Sequence, residues 1–214
     1  MAIKVYGIPT STCTAHVLLC LHEKGIEYQL VPVDLASAAH KQQPHLPLNP
    51  FGQVPAIEDD DISLLESRAI NRYLARKHKS NGTDLLQSNS LTESAMVDTW
   101  MEVEAHQFNG PISTIIYQTI VNPIYGLPPN DKIINSEMDK LEKVLDVYEE
   151  RLSKYKFLAG DNYTMADLNH ILFLVYFMRT PKAAAITSRP RVNAWWNDIS
   201  SRPATIKVSE AMKV

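Results

Sequence analysis

Cysteine is nearly absent from this chain. Only Cys13 and Cys20 occur among 214 residues, and their spacing matches neither a metal-binding pair nor a redox pair, so nothing supports a disulfide-stapled scaffold. No apolar stretch approaches the roughly 18 residues that a membrane-spanning helix requires. Charge of one sign is lacking too. The formal net charge is −3, and Lys and Arg are spread along the chain, which leaves no electrostatic footprint for nucleic acid or an anionic membrane. Internal repeats and low-complexity tracts are missing as well. The opening MAIKVYG enters an alternating pattern directly, with no signal or transit segment, so reduced thiols and a cytoplasmic location are expected.

What is present is ample apolar material, 45% of the residues, enough for one large core or two smaller ones; two are expected. Residues 3–7 alternate as a short strand. Pro9, Thr10, Ser11 and Thr12 then supply a turn and capping groups ahead of the helical stripe Val17, Leu18 and Leu21. After Gly25, YQLVPVDL reads as a second strand, and residues 36–53 as loop with at most a short helix. VPAIED and ISLLE read as strands around the Asp59-Asp60-Asp61 turn, and SRAINRYLARKH as a helix with Ile70, Tyr73 and Leu74 facing inward. The order is β-α-β, loop, β-β-α over residues 1–78, with strands of mixed direction.

The stretch 79–90, SNGTDLLQSNS in its polar part, reads as a linker. From residue 91 to 214 the apolar spacing is helical, in TESAMVDTWMEVEAHQF, EMDKLEKVLDVYEERLSKY, MADLNHILFLVYFM and RVNAWWNDIS. Thr164 and Asp167 form a capping box ahead of the most apolar of these segments. The fold class is therefore α/β followed by an all-α bundle.

Two places carry chemistry. At the first, Ser11, Thr12, Cys13 and Thr14 crowd the amino end of the first helix. They either cap that helix or hold an anion, because a helix start and a free hydroxyl both favour negative charge. A thiolate suits that spot; no histidine and acid are placed nearby to build a serine nucleophile. The second is NPFGQVPAIEDDDISLLESRAI, residues 49–70. A cis Val54–Pro55 bond is accessible at about 0.5–1 kcal/mol and would turn the Val54 backbone groups outward for an extended ligand, as in strand addition. Glu66 offers a carboxylate for an ammonium, and Ser67 reads as the cap of a helix whose amides favour a carboxylate.

With TSTCTAHV at the first helix, HKQQPHLPLNPFGQVPAIEDDDISLLESRAI at 40–70 and FLAGDNYTMADL at 157–168, the chain resembles the cytosolic glutathione transferases, most closely the phi class of plants. The resemblance runs end to end. It implies a thioredoxin-like amino-terminal domain (βαβ-ββα), an α-helical second domain contributing a hydrophobic substrate site, a homodimer, glutathione as co-substrate, and no metal or redox cofactor. Carried over by position, Ser11 donates a hydrogen bond to the glutathione sulfur, with Thr12 its nearest substitute. His40 and Lys41 meet the glycine carboxylate. Gln53 and Val54 are the glutathione-binding pair before Pro55, with the Val54 backbone pairing to the cysteinyl part, and Glu66 with Ser67 holds the γ-glutamyl end.

The resemblance leaves other positions as expectations. His16 stands where many relatives have arginine. Serine at position 11 cannot form the mixed disulfide of the cysteine-bearing classes, and Cys13 is expected to pack or to border the substrate pocket. Cys13, Phe108, Ile112 and Tyr117, with Met101, Tyr176 and Phe177, are candidates for the apolar pocket, although side chains of this kind are more often simply core. Phe51 is expected at the dimer contact. The expected activity is conjugation of glutathione to hydrophobic electrophiles, with peroxide reduction as a second reaction. The rival reading is a non-catalytic carrier of flavonoids such as anthocyanins, from which Ser11 and Thr12 separate this chain.

Overall fold

The alternation of IKVYG becomes strand β1 (Ile3–Gly7), with Ile3, Val5 and Gly7 buried and Lys4 exposed, in a computed structural model that describes residues 2–212. Helix α1 (Thr12–Lys24) follows. It stops where Gly25 takes a left-handed conformation, φ 63°, and closes its N–H on the carbonyls of His22 and Leu21. Strand β2 (Tyr28–Pro32) lies parallel to β1, the pairing that a helical crossover permits. It is an edge strand and ends at Pro32, short of the predicted Leu35.

Strands β3 (Ala56–Asp59) and β4 (Ile62–Leu65) form an antiparallel hairpin through Asp60 at φ 51°. Helix α2 (Ser67–Lys77) follows. The sheet order is β2-β1-β3-β4, with β3 antiparallel to β1. Helices α1 and α2 lie side by side: Asn71 Nδ2 donates to the His16 carbonyl at 3.2 Å, and Val17, Leu18, Leu21, Ile70 and Leu74 are buried. Tyr73, expected inward with Ile70 and Leu74, is only half-buried. Its hydroxyl donates to Asp59 Oδ2 at 2.9 Å, and Lys77 Nζ reaches the same oxygen at 2.7 Å. The buried Asp59 carboxylate requires such partners, and they draw the ring outward.

The chain divides into two compact units. One runs to Leu86 and takes in the chain from Pro203 onward; the other is Gln87–Arg202. Residues 79–86, read from the sequence as linker, thus belong to the first unit. Lys24 Nζ donates to the Thr83 carbonyl at 2.8 Å, and Thr83 Oγ1 donates to the Glu23 carboxylate at 2.9 Å. Gly82, at φ 51°, lies so close to α1 that a β-carbon would sit 2.2 Å from the Glu23 carbonyl oxygen. Gly82→Ala is expected to cost about 1–3 kcal/mol and lower the melting temperature by about 2–4 °C per kcal/mol. An unchanged calorimetric melt would show that this segment is not held so tightly.

The second unit opens with α3 (Leu91–Val103), capped by Ser90, whose hydroxyl accepts from Glu93 N at 3.3 Å. A π-helical turn (Glu104–Phe108), α4 (Asn109–Ile116), a second π-helical turn (Tyr117–Val121) and α5 (Asn122–Ile124) continue it without leaving helical backbone. Helix α6 (Asp131–Leu152) starts at the Asn130 cap, earlier than the predicted Glu137. Helix α7 (Met165–Phe177) is buried along its whole length, and α8 (Ala184–Thr187) and α9 (Pro190–Ser200) complete the unit. Its core centres on Tyr148, whose ring meets those of Trp100, Phe108, His170 and Trp195. The predicted capping box at Thr164 and Asp167 is formed.

The last helix, α10 (Pro203–Ala211), joins the first unit, where it lies on α1 with Thr205, Val208 and Met212 buried. Helical periodicity from residue 91 onward predicts a single helical domain to residue 214, without α10 joining the first unit. Periodicity shows that a helix has an apolar face but not which surface covers it.

Candidate active site

Ser11 occupies the N-cap of α1 in extended conformation, and its Oγ accepts from Thr14 N at 3.3 Å. That bond uses an oxygen lone pair and leaves the hydroxyl proton available to an acceptor outside the helix. The first turn of α1 holds no acidic side chain, so the partial positive charge of its amides is not neutralised from within the helix. Thr12 begins the helix and is half-buried, as is Ser11.

Cys13 is half-buried and unpaired. Burial pushes its thiol above the ordinary value, and the charge of Arg68 and hydrogen bonds with Ser67 and Thr12 only partly offset it. A thiol held in its protonated form is a poor nucleophile. The same contacts bring the start of α1 to the start of α2. Cys20 is fully buried in α1, and burial raises its thiol to about 12.

Ser67 is the cap of α2 that the residue pattern predicts. The cap is Glu66, with backbone φ 68° and ψ 105°, and Ser67 is the first helical residue, 5% exposed. The chain passes from the end of β4 at Leu65 into α2 within this one residue. A left-handed glutamate is an uncommon, costly conformation that clusters at functional sites. It leaves the Glu66 side chain exposed at the amino end of the helix.

The remaining predicted residues lie on the segment between β2 and β3. His40 and Lys41 sit in a 3-10 turn, Ala39–Lys41. Burial, then the charges of Lys41 and His45, hold His40 toward its neutral form. Lys41 Nζ donates to the Phe51 carbonyl at 3.1 Å. Val54–Pro55 is cis, as is Gln43–Pro44. Two residues without an assigned role in the sequence reading organise the turn. Asn49 accepts from Phe51 N through Oδ1 at 3.1 Å and donates through Nδ2 to the Gln53 carbonyl at 3.0 Å, and His45 Nε2 donates to that same carbonyl at 2.7 Å. A carbonyl only accepts, so this bond places the His45 proton on Nε2. Both residues are buried in a polar loop, a signal that the sequence does not display.

Two family models account for most of the chain: Glutathione S-transferase, N-terminal domain, over residues 1–76, and Glutathione S-transferase, C-terminal domain, over residues 108–203. Glutathione S-transferase F13 of Arabidopsis thaliana is 53% identical over 100% of this chain and 98% of its own length. This chain belongs to the glutathione S-transferase family. Plant phi-class transferases at about 50% identity over the full length place it in that class. The crystal structure of glutathione transferase F7 from Populus trichocarpa superposes with a TM-score of 0.98 at 52% identity, covering 100% of both chains. Glutathione S-transferase I from maize, solved in complex with an atrazine glutathione conjugate, matches with a TM-score of 0.93 at 42% identity over 99% of this chain and 98% of the maize chain. The four-stranded unit of this transferase is the thioredoxin-like domain expected of the family, followed by its helical domain.

The apolar candidates of the helical unit divide sharply. Phe108 and Ile112 have no accessible surface, and Met101, Tyr176 and Phe177 are buried as well. The Phe108 ring stacks on Tyr148 and meets His170 at 4.5 Å between centroids. These residues form interior, with the Phe108 ring set in the aromatic core around Tyr148. Tyr117, on the second π-helical turn, is 59% exposed. Ile124, Tyr125 and Leu127 are similarly open, and the sequence reading did not single them out. Among the described residues, no group of three or more His, Cys, Asp or Glu side chains is arranged to hold a metal ion.

Proposed function

We propose that this transferase joins the sulfur of glutathione to hydrophobic electrophiles, with Ser11 holding that sulfur as thiolate. The observation that carries the reading is the start of α1, where the Ser11 hydroxyl has a proton to donate and the first helical turn carries no acidic side chain of its own. Ser11 attacks nothing itself. The glutathione sulfur attacks the electrophile and displaces its leaving group or adds across its double bond. Thr12 stands beside Ser11 at the same helix end. His40 and Lys41 receive the glycine carboxylate, the Val54 backbone before Pro55 and the Gln53 side chain take the cysteinyl segment, and Glu66 and Ser67 take the γ-glutamyl group. The strained Glu66 backbone and the start of α2 suit that last task, one end supplying a carboxylate and the other amide donors. The electrophile is taken up by apolar side chains of the helical unit, of which Tyr117 is exposed.

The test is an assay with glutathione against a model aryl halide, an isothiocyanate and an organic hydroperoxide, alongside titration with a flavonoid. Turnover of at least one electrophile is expected. Turnover of the hydroperoxide, which oxidises two glutathione molecules to their disulfide while the peroxide becomes alcohol and water, would add the peroxidase reaction. Tight flavonoid binding with no turnover on any substrate would make the protein a carrier instead.

The transferase is proposed to act as a homodimer in the cytoplasm. Phe51 is 68% exposed, and an aromatic ring held out on a rigid turn is suited to burial in a partner. Phe51→Glu is expected to shift sedimentation from dimer toward monomer, since an unpaired charge would enter an apolar contact. A dimer that persists unchanged would remove Phe51 from the interface. A reducing compartment suits a reaction that consumes a thiol, and Cys13 and Cys20 are both unpaired.

A further inference from the structure

One short turn carries both the exposed aromatic ring and the backbone proposed to bind glutathione. Phe51 N is held by Asn49 Oδ1, Gly52 N donates to the Asn49 carbonyl at 2.9 Å, and the Gln53 carbonyl receives both His45 and Asn49. The amide of Phe51 and the carbonyl of Gln53 are thus anchored within the loop. The Phe51 carbonyl is tied instead to Lys41, across from the 3-10 turn. The contact is close along the stem as well. Gly52 has φ 57°, and a β-carbon there would lie 2.7 Å from Lys41 Cδ and 2.9 Å from the His40 carbonyl oxygen. Only glycine leaves room for the lysine to lie across this turn.

We propose that Lys41 is a positioning residue that couples glutathione occupancy to the seating of Phe51 against a second copy of the chain. The inference rests on the glutathione site and homodimer proposed above. A lysine ammonium carries three donors, and one is already given to the Phe51 carbonyl. An exposed lysine with no second hydrogen bond among the described residues keeps much of its rotamer freedom. When the glycine carboxylate of glutathione takes another of the donors, the charge-assisted bond orders the stem over Gly52 and with it the Phe51 backbone. The ordering cost is then met once, and seating Phe51 in a partner becomes easier. Coupling of this kind is reciprocal: glutathione strengthens the dimer by the factor by which the dimer strengthens glutathione binding.

The readout is subunit exchange between two differently labelled pools of the full-length protein, followed by energy transfer with and without saturating glutathione. Calorimetric titration with glutathione runs in parallel. Saturating glutathione is expected to slow exchange of the wild type by about fivefold, the lower end of ordinary coupling. In Lys41→Met the slowing is expected to vanish although the protein remains dimeric and still binds glutathione at higher concentration. Lys41→Arg, which keeps the charge and the reach, is expected to retain part of it. A merely structural Lys41 would alter the exchange rate equally with and without glutathione. Exchange in the wild type that ignores glutathione, or a slowing that survives in Lys41→Met, overturns the proposal. If wild-type titration shows no glutathione binding, or if labelled pools never form mixed dimers, the underlying reading fails first and the coupling falls with it.

Discussion

Ser11→Ala is expected to lower turnover at pH 7 by about 5- to 15-fold, since the helix amides remain, while weakening glutathione affinity by only about fourfold, the part of binding that the lowered thiol pKa contributes at that pH. A free thiol with a pKa of about 8.5 is only about 3% thiolate at pH 7, and bringing it to about 6.5 makes about three quarters of it reactive. That shift corresponds to about 2.7 kcal/mol. One hydrogen bond to a charged acceptor supplies about 1.5–3 kcal/mol, and the helix end about 0.3–1. Ser11 and the amides of α1 together reach the required total, and neither does so comfortably alone. The hydroxyl interacts with the sulfur, whereas affinity is spread over the carboxylate and ammonium contacts, so binding survives. The pH profile of turnover decides the matter. In the variant its acid limb should move toward the pKa of free glutathione by most of two units, and adding base should recover activity. Unchanged turnover would transfer the role to Thr12 or to the backbone of the helix start.

Asp167→Ala is expected to have the largest effect on folding, about 3–5 kcal/mol, the range for breaking a fully buried network. Asp167 has no exposed surface and gathers four donors: Leu158 N at 3.1 Å, Thr164 N at 2.9 Å, Thr164 Oγ1 at 3.3 Å and Trp195 Nε1 at 2.9 Å. Burial still raises its carboxyl above the ordinary value, against the pull of those bonds. Alanine would leave buried N–H groups from three residues unpaired, each costing about 1–3 kcal/mol without full additivity. Asp167→Asn keeps the shape but turns one acceptor into a donor among donors, so an intermediate loss is expected. Urea unfolding would read both variants, and a midpoint for Asp167→Ala within error of the wild type would show that the network carries no stability. Because the helical unit also presents Tyr117, a weakened transferase that still binds glutathione but has lost its electrophile would be consistent with damage confined to that unit.

Much of this architecture was legible from residues 1–78, where strand alternation, the Gly25 stop and the Asp60 turn are each encoded within a few neighbouring residues. The same holds for the capping box, whose partners stand three residues apart. The positions of Phe108 and Ile112 were not legible. An apolar residue on a helix gives the same pattern whether its face lines a cavity or closes a core, and the π-helical turns on either side of α4 leave no mark in the 3.6-residue period. Asn49 and His45 carry no local signal of their role, because polar residues in a loop look alike until the Gln53 carbonyl they share is placed.

The local grammar of the chain alone determined the order of elements, the hydroxyl-bearing start of α1 and the motif from Asn49 to Ile70, since all of these rest on interactions between near neighbours. Tertiary structure decided that Glu66 rather than Ser67 begins α2, that α10 returns to cover α1, and that Lys41 lies across Gly52 onto the Phe51 carbonyl. Each of those outcomes depends on which surfaces meet after the chain has folded back. A one-dimensional pattern records that a side chain or backbone group needs a partner without naming it.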